Sequence, residues 1–340
     1  MNNYMTLLRC LAGSLALAVA APVFAADAVN IDAARKEGKV VWYSSTPIAL
    51  AQKIATAFED KYGIKVELFR SGGSAILGRY MQERKARRND ADVLTASDPV
   101  AYAALAKEGA FVAFNPDGYE HIPADLRDPD GYYIAQRLNV ISIYGRTDII
   151  PADQLPKSWD ALLDPKYKGK LVMSNPSFTV LQLAVVASMV KLRGWEYYEK
   201  MQANDVMIVK GGQQINDMVN RGERPIAGGT DGSYAIDGIK AGRPIENIIP
   251  AEGTFIVPAP TAVIKGSPHP EAAKLLAEFM ISKEVQGYFP EEGNYAARDD
   301  IVPPAGSAAL KDIKTLPIAY DYMSKSSSEI KKKFNEIFLQ

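Results

Sequence analysis

Arg70-Ser71-Gly72-Gly73-Ser74 closes an apolar run, Ile64 to Phe69, that reads as a strand, and it opens a helical pattern from Ala75 to Tyr80. Small hydroxyl residues and glycines at a strand-to-helix turn leave backbone N–H groups unpaired and let a ligand come close. That chemistry suits an anion, with Arg70 supplying a fixed positive charge. The same kind of cluster recurs wherever a short apolar run ends. It is found at Ser44-Ser45, at Ser97, at Ser174, at Gly211 and at Gly229-Thr230-Asp231, with Tyr234 following the last of these. We read Ser44, Ser45, Arg70, Ser71, Gly72, Ser74, Ser97, Ser174, Asp231 and Tyr234 as candidate ligand-binding residues. Asp231 is repulsive to an anion, so it is expected either to meet an amine or hydroxyl of the ligand or to cap the helix that follows.

The elements that must position these residues alternate. Val40-Val41-Trp42-Tyr43 is a strand, Ile54, Ala55, Phe58 and Tyr62 repeat at helical spacing, and Asp92-Val93-Leu94 is a further strand before a helix that runs to Lys107. A long run from Tyr132 to Tyr144 is expected to pass from one domain to the next. The rhythm then restarts at Lys170-Leu171-Val172-Met173 and continues through Val206 to Val209 and Pro225 to Ala227. Strand–helix alternation implies an α/β fold of two lobes, each a mainly parallel sheet flanked by helices, with the ligand in the cleft beyond the carboxyl ends of the strands. The expected boundaries are residues 26–130 and 256–340 for the first lobe and 131–255 for the second. Hinges are expected near Tyr132 to Tyr144 and near Val257.

Composition excludes several classes. The chain has 340 residues, with 39 basic and 40 acidic side chains and a formal charge of −1, so no global field points to nucleic acid or an anionic membrane. The N-terminus, with Arg9, an apolar run from Leu11 to Val23, and Val23-Phe24-Ala25, reads as a secretory signal cut after Ala25. The run is too short to span a membrane permanently. Cleavage removes Cys10, the single cysteine, so the mature chain is expected to be an exported, unanchored monomer with no disulfide of its own.

Catalytic groups are scarce. The two histidines, His121 and His269, stand beside prolines and read as surface residues. Ser328-Glu329-Ile330-Lys331 fits Ser-x-x-Lys without partner motifs, and there is no nucleophile elbow, phosphate-binding loop, dinucleotide fingerprint or Cys/His cluster. The pairs Tyr132-Tyr133 and Tyr197-Tyr198 are expected to pack. Binding without turnover, and without a cofactor or metal, is the reading these absences favour. An exported enzyme using the same cleft is the alternative from another class.

Val41-Trp42-Tyr43-Ser44-Ser45, Lys61-Tyr62-Gly63-Ile64-Lys65-Val66, Ala91-Asp92-Val93, Leu155-Pro156-Lys157-Ser158-Trp159-Asp160, the block from Leu163 to Lys170 and His269-Pro270-Glu271-Ala272-Ala273 resemble the extracellular solute-binding proteins of ABC importers, of the ferric-iron type. The resemblance covers the mature chain. It implies a two-lobed periplasmic receptor of the type 2 class that closes on its ligand and delivers it to a membrane permease and ATPase. It also implies an anion-holding loop at Ser177-Phe178-Thr179, which adds Ser177 and Thr179 to the candidates. The iron ligands of that family do not carry over: Ser45-Thr46 and Ala96-Ser97 stand where a histidine or tyrosine and a glutamate belong, and only Ser233-Tyr234 stands at the tyrosine pair. One tyrosine with neutral hydroxyls supplies too few anionic oxygens for a ferric ion. A phosphonate, phosphate ester or carboxylate is therefore the expected ligand, with ferric iron or a ferric chelate as the alternative within binding.

Overall fold

A computed structural model describes residues 28–339. The proposed signal segment lies outside the described residues. In chain order the elements are α1 (Ile31–Glu37), β1 (Lys39–Ser44), α2 (Ile48–Tyr62), β2 (Lys65–Arg70), α3 (Gly73–Lys85), β3 (Val93–Thr95) and α4 (Pro99–Lys107), followed by the long β4 (Ile134–Arg146). Then come β5 (Leu171–Ser174), α5 (Val180–Arg193), α6 (Glu196–Ala203), β6 (Met207–Val209), α7 (Gly212–Arg221), β7 (Ile226–Asp231), α8 (Ser233–Lys240) and β8 (Ile245–Ile248). The chain ends with β9 (Ile256–Val263), α9 (Pro270–Ile281), α10 (Lys283–Glu291), β10 (Tyr295–Ala296) and α11 (Tyr320–Phe338).

β4 is the strand both lobes share. Its residues from Ile134 to Val140 pair with β9, and those from Ile141 onward pair with β7, with β8 alongside from Ile143. The first lobe carries the order β2-β1-β3-β9-β4 and the second β4-β7-β5-β6. Each lobe has parallel neighbours, β1 with β2 and β3, and β5 with β6 and β7, while every pairing of β4 and β9 is antiparallel. The sheets are thus mixed where sequence periodicity suggested mainly parallel ones, because the two crossing strands run against the rest. Twelve of the thirteen β4 residues are buried, from Ile134 to Gly145, so both of its faces are covered.

Local chemistry explains the ends of the elements. Gly63 caps α2 in the left-handed conformation, and the Thr179 hydroxyl accepts from the Gln182 N–H at the start of α5. Asp92, fully buried before β3, accepts from the Val41 N–H at 2.6 Å and the Ser267 hydroxyl at 2.6 Å, and pairs with His269 Nδ1 at 2.9 Å. His269 is therefore a structural partner and not a loose surface residue. A buried carboxylate needs such donors. Tyr197 and Tyr198 are buried and packed edge to face, with ring centroids 5.3 Å apart.

One sequence expectation is corrected. β7 does not end at Gly229 but runs to Asp231, with Gly229 at φ +95° where the register with β4 slips between Ser142 and Ile143. A glycine can take up that bulge because no Cβ opposes the left-handed backbone. Within β4 the pairing partner changes from β9 to β7 between Val140 and Ile141. The C-terminal α11 packs on α5 and α6. Its Phe334 meets Tyr198, the Asn175 amide donates to Asn335 Oδ1 at 2.9 Å, and the Ala319 N–H just before it donates to the Ser188 hydroxyl at 3.0 Å.

Candidate functional site

A cavity of about 370 Å³ lies between the lobes, with β4 as its floor. Side chains alternate along a strand, so Arg137 and Asn139 leave the same face and line it. Arg137 is only 2% exposed. Its Nη1 donates to Asn139 Oδ1 at 2.5 Å, while its Nε, also buried, has no partner among the described residues. Burial pulls the pKa of this guanidinium down and Arg70 adds to the pull; Asp231 and Tyr234 oppose it. Asn139 passes the network on, donating through Nδ2 to the Ser97 hydroxyl at 3.1 Å and to the Val257 carbonyl at 2.8 Å.

Asp231, at the end of β7, is 6% exposed and accepts from the Ser233 N–H at 3.1 Å. Burial pushes its pKa up, and Arg137 and the Ser233 hydrogen bonds hold it back. Among the described residues that line the cavity it is the only carboxylate, against three cations, Arg70, Arg137 and Lys210.

The walls come from strand ends and helix starts. The first lobe contributes Ser45, whose buried hydroxyl has no partner among the described residues, with Arg70, Ser71 and Gly72. Arg70 is exposed at the mouth and anchored there by its Nε, which donates to the Thr46 carbonyl at 3.0 Å. The second lobe contributes Ser174, which donates to Gln182 Oε1 at 2.9 Å, and Gln182 itself, whose buried Nε2 is unpartnered among the described residues. Gly72 and Gly73 at the start of α3, Thr179 and Val180 at the start of α5, and Gly211 and Gly212 at the start of α7 all line the cavity. Three helix N-termini therefore point partial positive charge and free N–H groups at one small volume. The two lobes meet there: a methyl group on Gly72 would stand 3.3 Å from the Phe178 carbonyl.

Of the residues singled out from sequence, Ser45, Arg70, Ser71, Gly72, Ser97, Ser174, Thr179, Asp231 and Tyr234 line this cavity. Three stand elsewhere. Ser44 is buried in the sheet, where its hydroxyl accepts from the Thr46 N–H at 3.1 Å. Ser74 lies in the first turn of α3, off the lining, because helical rotation carries it past the cleft. Ser177 is turned to α11, its hydroxyl accepting from Asn335 Nδ2 at 3.4 Å. Sequence reading missed Arg137, Asn139, Gln182 and Lys210. The signal for the first two was Gln136-Arg137-Leu138-Asn139, a polar insertion in an otherwise apolar strand.

Comparison with known proteins agrees with this architecture. The family model for bacterial extracellular solute-binding proteins matches residues 89–326, and the chain belongs to that family. A periplasmic protein of Salmonella paratyphi A named for 2-aminoethylphosphonate binding is 28% identical over 288 residues, which cover 80% of this chain and 82% of that protein. Iron uptake protein A1 of a Synechocystis species is 26% identical over 289 residues, 79% of this chain and 78% of its own. The solved structure of the periplasmic binding protein AfuA from Actinobacillus pleuropneumoniae, with fructose-6-phosphate bound, superposes with a TM-score of 0.79 at 21% identity, over 89% of this chain and 99% of that one. The fold is that of the two-lobed periplasmic binding proteins, and the chain is a solute-binding protein of the kind that serves ABC transporters. Among the described residues, no helix is long and apolar enough to cross a membrane.

Proposed function

We propose that the chain is a periplasmic receptor that closes its two lobes on a small anionic ligand, a phosphonate, phosphate ester or carboxylate, and hands it to the permease and ATPase of an ABC importer, acting as a monomer and without turnover. The observation that carries this reading is Arg137: a guanidinium this deeply buried, lining the cavity and with its Nε unpartnered among the described residues, is stabilised by an anion arriving there. Arg70, Lys210 and the three helix N-termini add to the same field. Asp231 and Tyr234, which line the same pocket, suit an amino or hydroxyl substituent of that anion. Of the relatives, the one named for an aminophosphonate fits this donor set, while the iron uptake protein is named for the alternative. A ferric ion is disfavoured by three cations and one carboxylate. Export by cleavage after Ala25 belongs to the same proposal, and N-terminal sequencing of secreted protein checks it.

The test is a thermal-shift and calorimetry panel of phosphonates, sugar phosphates, carboxylates and ferric citrate. A ligand at a hundred times its Kd adds about 2.7 kcal/mol of stability. The expected result is a shift with a phosphorus or carboxylate anion that weakens in Arg70→Ala and Lys210→Ala. No shift with any anion, together with ferric-citrate colour that disappears in Tyr234→Phe, would establish the iron reading instead.

A further inference from the structure

Behind β4 lies a second cavity, of about 540 Å³. Arg137 and Asn139 face the cleft, whereas Leu138 and Val140 face this rear space, as strand alternation requires, and Asp231 borders both. One wall is α8 and β8 of the second lobe, with Ile236, Ile239 and Asn247. The other is the end of α10, the Asn294-Tyr295 segment and Pro304 to Ala308 of the first lobe. Lys240 spans the gap, its ammonium reaching the Glu291 carbonyl and, at 3.3 Å, the Glu292 carboxylate.

The lining is largely apolar, and its buried polar side-chain atoms without a partner among the described residues are acceptors. Asn294 is 3% exposed; its Nδ2 donates to the Glu292 carbonyl at 2.8 Å, but its Oδ1 has no partner among the described residues. Asn247 Oδ1 is likewise buried and unpartnered. Asp231, Glu246 and Glu291 add carboxylates, Glu246 with Lys157 at 3.9 Å and Glu291 with Lys53 at 2.6 Å, and Lys240, the one cation among the described lining residues, is already engaged. Buried acceptors left open are costly unless a donor reaches them. We propose that this rear cavity binds a small organic ammonium ion with an apolar body, and that occupancy holds the cleft closed. The front of the molecule is shut where Gly72 meets Phe178. A rotation about β4 and β9 that opened it would press α8 further onto the end of α10, which it already meets where Gly293 lies against Ile236, and so would shrink the rear space as the front widened. A ligand that fills the rear space therefore favours the closed form, and the coupling is reciprocal. The coupling, unlike the binding itself, rests on the reading of the cleft as the receptor site.

The probe is 2-phenylethylammonium, titrated into protein with labelled isoleucine methyl groups. Saturable shifts of the Ile236 and Ile239 methyl signals are expected. They should be lost in Ala308→Trp, which fills the rim from an exposed position, and kept in Arg70→Ala. Absence of saturable shifts, shifts that survive Ala308→Trp, or shifts lost in Arg70→Ala each overturn the site, the last by placing the amine in the front cleft. Equal binding of uncharged 2-phenylethanol overturns the cation preference. With the amine saturating, the best anion of the panel should bind at least threefold more tightly. An unchanged or weaker anion affinity refutes the coupling alone, and failure of every anion to bind refutes the receptor reading while the methyl shifts still decide the rear site.

Discussion

Arg137 and Asn139 stand two residues apart on β4, and the guanidinium of one donates to the amide oxygen of the other at 2.5 Å across the floor of the cleft. This fixes the orientation of the buried cation before any ligand arrives, so little ordering is left for the binding step. Arg137→Gln keeps a donor for Asn139 and removes the charge. A hydrogen bond to a charged group contributes roughly 1.5–3 kcal/mol, so anion affinity should fall roughly 10- to 150-fold by calorimetry. An unchanged affinity would remove Arg137 from the site.

Closure depends on what Gly72 lacks. With 3.3 Å between a methyl group placed there and the Phe178 carbonyl, Gly72→Ala should weaken ligand binding only a few-fold, and Gly72→Val should weaken it about tenfold or more as the backbone is forced back. Gly72 is exposed, so the melting temperature of the free protein should hardly move. Small-angle scattering of the ligand-saturated Gly72→Val protein should give a larger radius of gyration than the parent. Equal radii would show that the lobes close without this contact.

Acid stability should report Asp300. The hydrogen bond from Arg298, at 2.8 Å, holds the Asp300 pKa down at about 2, and the arginine it serves is 7% exposed. A carboxylate whose folded pKa is depressed contributes stability above its unfolded value, and loses it as pH falls through the folded value. Asp300→Asn should therefore cost about 1–2 kcal/mol in urea melts at pH 7, with the difference vanishing as pH falls from about 4 to about 2. A cost that persists undiminished at pH 2 would mean the ion pair is not its origin.

Gly229 tests the bulge in β7. An alanine there would carry a left-handed φ, and its Cβ would stand 2.7 Å from the Trp159 ring. Strain and overpacking together should destabilise the protein by roughly 2–4 kcal/mol. Since β7 ends in Asp231, ligand affinity should fall as well. Denaturant melts and calorimetry on Gly229→Ala check both, and a variant as stable as the parent would show that the strand relaxes freely.

Much of the fold was legible because its elements are short and locally consistent. Val40 to Tyr43, Val93-Leu94 and Leu171 to Met173 are apolar runs bounded by turn residues, and each is a strand. The clusters after them needed no tertiary knowledge to suggest a cleft, and most of their residues line it. What failed did so because a hydrophobic period does not say where a hydroxyl finds its partner. Ser44 and Ser177 carry the right chemistry, but the neighbouring Thr46 N–H and the Asn335 amide, the latter more than a hundred residues away, take up their hydroxyls. The amphipathic pattern of α11 says that one face is buried, yet not that α5 and α6 bury it.

By itself the sequence determined the two-lobed α/β class and the hydroxyl- and glycine-rich strand ends, because period, capping and turn chemistry act over a few residues. The tertiary structure decided which of those ends converge. It also decided that Arg137, unremarked in a buried strand, is the charge at the centre. A strand's alternation states only that Arg137 and Leu138 face opposite ways; the packing of both lobes around β4 decides which face becomes the cleft.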